Sequence, residues 1–186
     1  MYAQEMIFET LVDITADGYK PCLAESWDIS ADGKVYTFHI RKGVTFTDGT
    51  PCDAFAIKAN FDAILENRAR HTWLEMMHLL EKVDAPDAHT FRIFMKAPYW
   101  PMLTELGVTR PFAIISPKAM KNGSTKDGVT AYVGTGPYKL TKVVTDEYAV
   151  FEANETYWGE QPKIKRVVVK VIPDNQTRIL ALEKGE

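Results

Sequence analysis

One predicted helix constrains the fold of this chain more than any other segment. From Ala54 to Asn67, apolar side chains recur at helical spacing and form one face of a helix: Ile57, Phe61, Ile64 and Leu65. Asp53, directly before this segment, is a residue type that commonly caps a helix N-terminus by accepting a hydrogen bond from the first turn. We therefore expect a capped helix whose apolar face is buried in the core.

Segments with strand character lie on both sides of this helix. Val35 to Arg41 alternates β-branched and aromatic residues with polar ones, which is typical of a half-buried strand. We predict another strand over Thr90 to Met95, and later a hairpin formed by Tyr138 to Val144 and Tyr148 to Glu152. A last strand, Lys165 to Ile172, alternates in a way that indicates burial. Strands placed early and late around central helices favour the α+β class, with a mixed sheet and flanking helices.

Shorter helices are predicted in much of the remaining chain. Apolar spacing indicates helical segments over 2–12, 72–80, 102–106 and 175–184. In the second of these segments, four residues would share one face: Trp73, Met76, Met77 and Leu80. Gly107 is placed to end the third. A short strand at Ile114 and Ile115, then one turn of helix from Ser116 to Ala119, would follow.

Composition argues against two classes of protein. The 186 residues include 22 Lys and Arg against 25 Asp and Glu, a formal charge of −3, whereas nucleic-acid binders usually carry a basic excess. No apolar run approaches the ~20 residues that a membrane-spanning helix needs. The first residues also lack the basic and apolar regions of a signal peptide. An ordinary globular protein is expected.

The metal-ligating residue types do not form a self-contained zinc motif. Cys22 and Cys52 could form one disulfide bridge, but two small apolar residues are the favoured interpretation. His71 and His78 are seven residues apart on a predicted helical stretch and could share a face. Solvent-exposed or packed histidines explain that spacing better than a metal pair. We expect no metal ligand set in this chain.

No catalytic motif stands out. The glycine pair Gly134 and Gly136 lacks the third glycine of a dinucleotide-binding loop, because Lys139 takes its place, and a tight structural turn is favoured. Neither a nucleophile elbow nor a phosphate-binding P-loop is present. The carboxylates are spread along the chain, so no acid–base pair is set apart by position. We predict that the protein is not an enzyme.

Three residues have the chemistry of a binding site. Arg70 and Trp73 are three apart, so on a helix they would project to the same side and offer a guanidinium beside an indole. Arg110 lies in the otherwise apolar stretch 107–115, where a charge is usually paired or binds an anion. Arg70 as one of many surface cations, and Arg110 bonded to a local carboxylate, are the alternatives.

Longer motifs resemble a known family of transport proteins. The segments LAESW (23–27), DGKVYTFHIRKGVTF (32–46) and DGTP (48–51) resemble the signature region of the peptide/nickel class of extracellular solute-binding proteins, solute-binding family 5. GTGPY (134–138) and NETYWG (154–159) match two further landmarks in the expected order. Residues 178–186 match the helix that precedes the family's next motif. The resemblance covers essentially the whole chain.

Two segments resemble the nickel-binding branch of that class more than its peptide-binding branches. These are NRARHTWLE (67–75) and TRPF (109–112). The resemblance implies that Arg70, Trp73 and Arg110 line the ligand cleft, with Met1 near it. It further implies that the arginines hold carboxylates of a small organic chelator. The metal's histidine ligand would come from a second lobe, so the resemblance assigns no metal ligand to this chain.

The resemblance also implies the architecture and the setting of the protein. Family members have two lobes, and this chain is expected to form part of lobe 1 of a type II periplasmic-binding fold, with lobe 2 absent. Residues 1–26 and 116–186 would form the sheet-bearing part, and 27–115 a smaller inserted α+β sub-domain. The expected location is extracytoplasmic, in the periplasm or as a cell-surface lipoprotein, with a leader not visible here. The expected membrane partner is an ABC permease.

Two classes of function stay open at this point. The first is a receptor that captures a nickel chelate as the transported solute, without a covalently bound cofactor; a peptide or other small solute is the alternative within that class. The second is an enzyme or regulatory domain built on the same lobe. We also expect the isolated chain to associate with itself through surface that the rest of the lobe would cover.

Overall fold

The computed structural model describes residues 2–185, so Met1, one of the expected cleft residues, lies outside the described residues. The helices are α1 Tyr2–Glu5, α2 Ala54–Glu66, α3 Glu75–Leu79, α4 Met102–Leu106, α5 Thr109–Phe112 and α6 Asn175–Glu183, with 3-10 turns at Arg68–Arg70 and Pro117–Ala119. The strands are β1 Val12–Thr15, β2 Gly18–Pro21, β3 Ala24–Ile29, β4 Val35–Ile40, β5 Leu80–Asp87, β6 Thr90–Met95, β7 Met120–Lys121, β8 Ser124–Val129, β9 Tyr138–Val144, β10 Tyr148–Ala153 and β11 Arg166–Lys170.

The strands form two larger sheets and two small hairpins. One sheet has the order β3-β4-β6-β5 and the other has the order β11-β10-β9, while β1 pairs with β2 and β7 with β8. The α+β class is confirmed, but within residues 2–185 the named strands pair antiparallel, so the expected mixed sheet is wrong. Short connections join most of the paired strands, and a parallel pair would need a long crossover.

Helix α2 is the central element of the core, as its sequence predicts. The Asp53 carboxylate accepts a hydrogen bond from the Ala56 backbone N–H at 2.9 Å, which confirms the predicted cap. Ile57, Phe61 and Ile64 are buried, and Leu65 packs partly buried against the same cluster. The ring of Phe61 lies 4.9 Å from that of Phe91 in β6 and 5.8 Å from that of Phe112, between centroids. Helix α2 therefore joins the four-stranded sheet to the segment that carries Arg110.

The segment Met6–Leu11 lies between the loop that contains Gly136 and the segment that contains Ile114. The Ile7 carbonyl accepts a hydrogen bond from Gly136 N–H at 2.8 Å, and the Glu9 carbonyl accepts one from Ile114 N–H at 2.9 Å. A Cβ atom at Gly136 would lie 2.7 Å from the Ile7 carbonyl oxygen, so only glycine permits this approach. The glycine pair therefore serves backbone packing. The helix predicted over 2–12 ends at Glu5, because the following residues form these longer-range bonds.

Other sequence predictions are corrected by the environment of the segments. Helix α3 starts at Glu75, so Trp73 lies outside it, and Leu80 already belongs to β5. Ile114 and Ile115 form no strand; instead the Asn60 amide oxygen accepts a hydrogen bond from Ile115 N–H at 3.0 Å. Strand β11 is an exposed edge strand that pairs with β10, and the burial predicted for it is wrong.

The two cysteines are free thiols, in line with the favoured interpretation. Burial raises the pKa of the Cys22 thiol to about 12 and also raises the pKa of Cys52, so both stay neutral. In residues 2–185, no helix combines the length and the apolar character that crossing a membrane requires.

Replacing Phe61 with alanine tests the central role of α2. We expect Phe61→Ala to lower the free energy of unfolding by about 3–5 kcal/mol, because it leaves a cavity between the sheet and the Phe112 segment. The matched control is Phe55→Ala in the same helix, where the side chain is 53% exposed. That variant should cost about 0.5 kcal/mol or less. Equal losses for both variants in denaturant titrations would contradict the assignment.

Candidate functional site

A cleft of about 570 Å³ opens beside the C-terminal end of α2. The turn after α2, the segment 109–115 and residues from 125 to 132 contribute to its wall, together with Gln4 and Phe8. The volume is within the range of small-molecule sites, roughly 300–1,000 Å³. Arg70, Trp73 and Arg110, which the sequence singles out, all line this one cleft.

Arg70 and Trp73 reach the cleft by a route that differs from the predicted one. Helix α2 ends at Glu66, the Asn67 side-chain amide donates to the Ala63 carbonyl at 3.0 Å, and a 3-10 turn follows. The shared helix face expected for Arg70 and Trp73 is therefore wrong, and the turn brings both residues to the cleft instead. Trp73 is 62% exposed, so its indole face is open to a ligand.

The two arginines are accessible cations. Arg70 has one long hydrogen bond, from its Nη1 to the Lys126 carbonyl at 3.4 Å, and its side chain is otherwise exposed. The backbone of Arg110 is extended, with φ −114° and ψ 116°, within the α5 range. Among residues 2–185, the ion pairs involve other side chains, so the local carboxylate considered for Arg110 is not found.

The charge of the cleft is opposite in sign to that of the whole protein. Its described lining contains Arg70 and Arg110 but neither Asp nor Glu, although the chain carries a net charge of −3. Two guanidinium groups with no carboxylate in the described lining create a positive local potential, and partial enclosure strengthens it. The arrangement is suited to binding an anion, especially one with carboxylates that accept paired N–H bonds.

His71 also lines the cleft, although no sequence motif indicates it. Its imidazole is half-buried, and its pKa is lowered by burial and then by the nearby positive charges of Arg110 and Arg70. His78, its expected partner in a metal pair, instead contacts the Thr72 carbonyl at 3.1 Å and is not part of the cleft lining. The position next to Arg70 is the signal that could have identified His71.

Two further polar residues, Asn60 and Tyr132, line the cleft. The Asn60 amide group donates to the carbonyls of Ala56, at 2.9 Å, and Ile115, at 2.8 Å. Asn60 therefore fixes the segment after Arg110 to α2. Tyr132 is exposed on another side of the cleft, where no sequence motif had indicated a role.

Residues 2–185 contain no group of three or more His, Cys, Asp or Glu side chains arranged to hold a metal ion. That the metal's direct protein ligand comes from a second lobe stays a prediction.

The sequence also matches a known protein family. The family model for bacterial extracellular solute-binding proteins, family 5, matches residues 18–186. The chain belongs to this family. The GTGPY and NETYWG motifs, which pack on the Met6–Leu11 segment, lie inside the matched region.

Individual relatives and solved structures agree with the family match. The chain is 46% identical to the nickel-binding periplasmic protein of Escherichia coli, over 100% of this chain and 36% of the relative. It is 33% identical to a probable D,D-dipeptide-binding periplasmic protein of E. coli, over 96% of this chain and 36% of that protein. The crystal structure of NikA from Brucella suis in complex with Fe(III)-EDTA superposes with a TM-score of 0.97 and 47% identity, covering 100% of this chain and 37% of that one. The chain thus spans little more than a third of these proteins.

Burial lowers the pKa of His71, and the arginines of the cleft are expected to lower it further. Replacing Arg110 with methionine removes one positive neighbour, so the pKa of His71 should rise towards its ordinary value. Histidine ring NMR signals followed through a pH titration measure this change. Lys20→Met, which removes an exposed cation outside the cleft, is the control and should leave the His71 titration where it is. An unchanged pKa in Arg110→Met would show that the two groups do not interact.

Proposed function

We propose that this chain forms one wall of the ligand site of an ABC-importer receptor that captures an anionic metal chelate, with nickel as the transported metal. The observation that carries the proposal is the cleft with two accessible guanidinium groups and no lining carboxylate among the described residues. Support comes from the similarity to a nickel-binding periplasmic protein and to a structure holding Fe(III)-EDTA. The proposed role is binding and delivery, without a catalytic step and without a covalently bound cofactor.

The chemistry of the wall assigns a role to each residue. Arg70 and Arg110 each pair with a carboxylate of the chelator, by charge-assisted hydrogen bonds that a planar guanidinium forms well. The exposed Trp73 indole packs against the flat side of the chelate. Met1 is included as a further ligand contact on the resemblance alone. The metal's direct protein ligand is proposed to come from the second lobe.

The wider setting is proposed on the same family relationship. The protein is extracytoplasmic, in the periplasm or anchored as a lipoprotein, and delivers its solute to an ABC permease in the membrane. Residues 1–26 and 116–186 act as the sheet-bearing part of lobe 1, and residues 27–115 as a sub-domain inserted in it. Two lobes that close around the solute would bury it between both faces.

The Arg110→Met variant tests the binding role. The measurement uses the whole protein that the gene encodes. Methionine keeps much of the side-chain volume but removes the charge, so binding of a carboxylate chelate should weaken by about 2–3 kcal/mol, roughly 30- to 140-fold. Calorimetry with Co(III)–EDTA measures the affinity. This chelate suits the test because its coordination positions are all filled and it stays a monoanion over the accessible pH range.

Two controls accompany this measurement. Lys20→Met, on the exposed strand β2, should bind Co(III)–EDTA as the wild type does. The melting temperature of ligand-free Arg110→Met should change little, because Arg110 lies on the surface. Unchanged affinity in Arg110→Met, or preferential binding of a neutral peptide by the wild type, would contradict the proposal.

The isolated 186 residues should bind the same chelate only weakly. One wall leaves the other side of the ligand in water, where an ion pair contributes about 1 kcal/mol. We therefore expect a dissociation constant of about 1 mM or weaker by calorimetry. Micromolar binding by a strictly monomeric chain would show that a single wall is sufficient, against the two-lobe proposal.

The isolated chain is also expected to self-associate. Helix α6 exposes three large apolar residues, Ile179, Leu180 and Leu182, and the last is 78% exposed. Contiguous apolar surface of this kind favours association in water. Light scattering should show oligomers that the double variant Ile179→Glu and Leu182→Glu reduces. A wild-type chain that stays monomeric at high concentration would contradict this expectation.

A further inference from the structure

Among the described residues of the cleft lining, the imidazole of His71 is the one titratable group whose charge changes near neutral pH and that the proposed function leaves unused. It follows the 3-10 turn Arg68–Arg70, and its backbone N–H donates to the Arg68 carbonyl at 2.9 Å, which fixes its position. The imidazole forms no hydrogen bond with another residue in the described range 2–185. By contrast, His39 pairs with Asp28 at 2.8 Å.

Charged and titratable residues lie on several of the segments around His71. Arg70 lies on the preceding turn and Arg110 on the opposite segment, and the phenol of Tyr132 faces the same cleft. Just outside the lining, Glu5 accepts a hydrogen bond from the Thr109 hydroxyl at 3.4 Å, and Lys126 presents its carbonyl to Arg70. The nearest groups in the cleft are thus both positive, and they oppose a third positive charge.

A bound polycarboxylate would reverse this balance. Its carboxylate oxygens pair with the two guanidinium groups and bring negative charge close to the imidazole, which favours the protonated ring. A protonated imidazole also donates from both ring nitrogens and can bind a carboxylate directly. The same ring is therefore disfavoured as a cation in the empty cleft and favoured as one in the occupied cleft.

Resting on the proposed function, we propose that His71 is a third anion-binding group of the cleft, and that it takes up a proton when a polycarboxylate chelate binds. Binding and protonation then strengthen one another. In the empty cleft the pKa of His71 lies below its ordinary value, and in the occupied cleft it is higher. Between these two pKa values the complex holds more protons than the free protein, so affinity rises as pH falls through this window.

Calorimetry of the protein as its gene encodes it measures this uptake directly. Titrations with Co(III)–EDTA in buffers of different ionisation enthalpy, near pH 6.5, give the number of protons taken up per chelate bound. The wild type should take up a fraction of one proton, and its affinity should rise by up to about tenfold for each unit by which the pKa increases. His71→Gln should bind Co(III)–EDTA without this proton uptake, and its affinity should depend less on pH.

Control measurements separate this proposal from a purely structural role of His71. His78→Gln, which alters a histidine outside the cleft, should keep the full proton uptake. The His71 ring signals in NMR titrations of the wild type should show a higher pKa with Co(III)–EDTA than without it. This readout needs no variant, so it remains informative even if His71→Gln folds poorly.

The outcomes also distinguish this inference from the proposed function. If Arg110→Met loses affinity while wild type and His71→Gln take up equal numbers of protons, His71 is not the coupled group and the binding proposal stands. If Arg110→Met binds as the wild type does, the proposed function itself fails. If chelates with an open coordination position bind and Co(III)–EDTA does not, and if His71→Gln abolishes that binding, then His71 acts on the metal and this inference is overturned.

Discussion

The close backbone contact between residues 6–9 and the Gly134–Tyr138 loop is the constraint on which the rest of the structure depends. A Cβ atom at Gly136 would fall 2.7 Å from the Ile7 carbonyl, so the two segments meet backbone to backbone. From this junction, Glu9 holds Ile114 through its carbonyl, and Asn60 of α2 holds Ile115. The position of the Arg110 segment, and with it one side of the cleft, follows from this chain of hydrogen bonds.

The elements predicted well from sequence are those whose signals are local. Helix α2 and its Asp53 cap follow from apolar spacing and one side-chain hydrogen bond, and strands β4 and β6 follow from alternation. The exposure of strand β11 does not follow from its sequence, because alternation shows which residues share a face but not whether another element covers that face. Two adjacent isoleucines predict a strand, but the sequence does not reveal that Ile115 pairs with the Asn60 side chain instead.

The candidate site, too, can be predicted from the sequence only in part. Residue chemistry and the family resemblance indicate Arg70, Trp73 and Arg110, and the three line one cleft. Their three-residue spacing suggested a shared helix face, but the 3-10 turn after α2 is what brings Arg70 and Trp73 together. A lone histidine carries no motif, so the sequence does not indicate His71. Its role depends on Arg110, which is distant in sequence and near in space.

The most direct test of the account is native mass spectrometry of the protein as its gene encodes it, purified from cells grown with nickel. Two guanidinium groups in a cleft whose described lining lacks carboxylates predict that the co-purified species is a metal bound to a small polycarboxylate. The nickel isotope pattern and the mass after acid release identify both parts. Recovery of a neutral peptide, with no metal and no carboxylate chelator, would contradict the account.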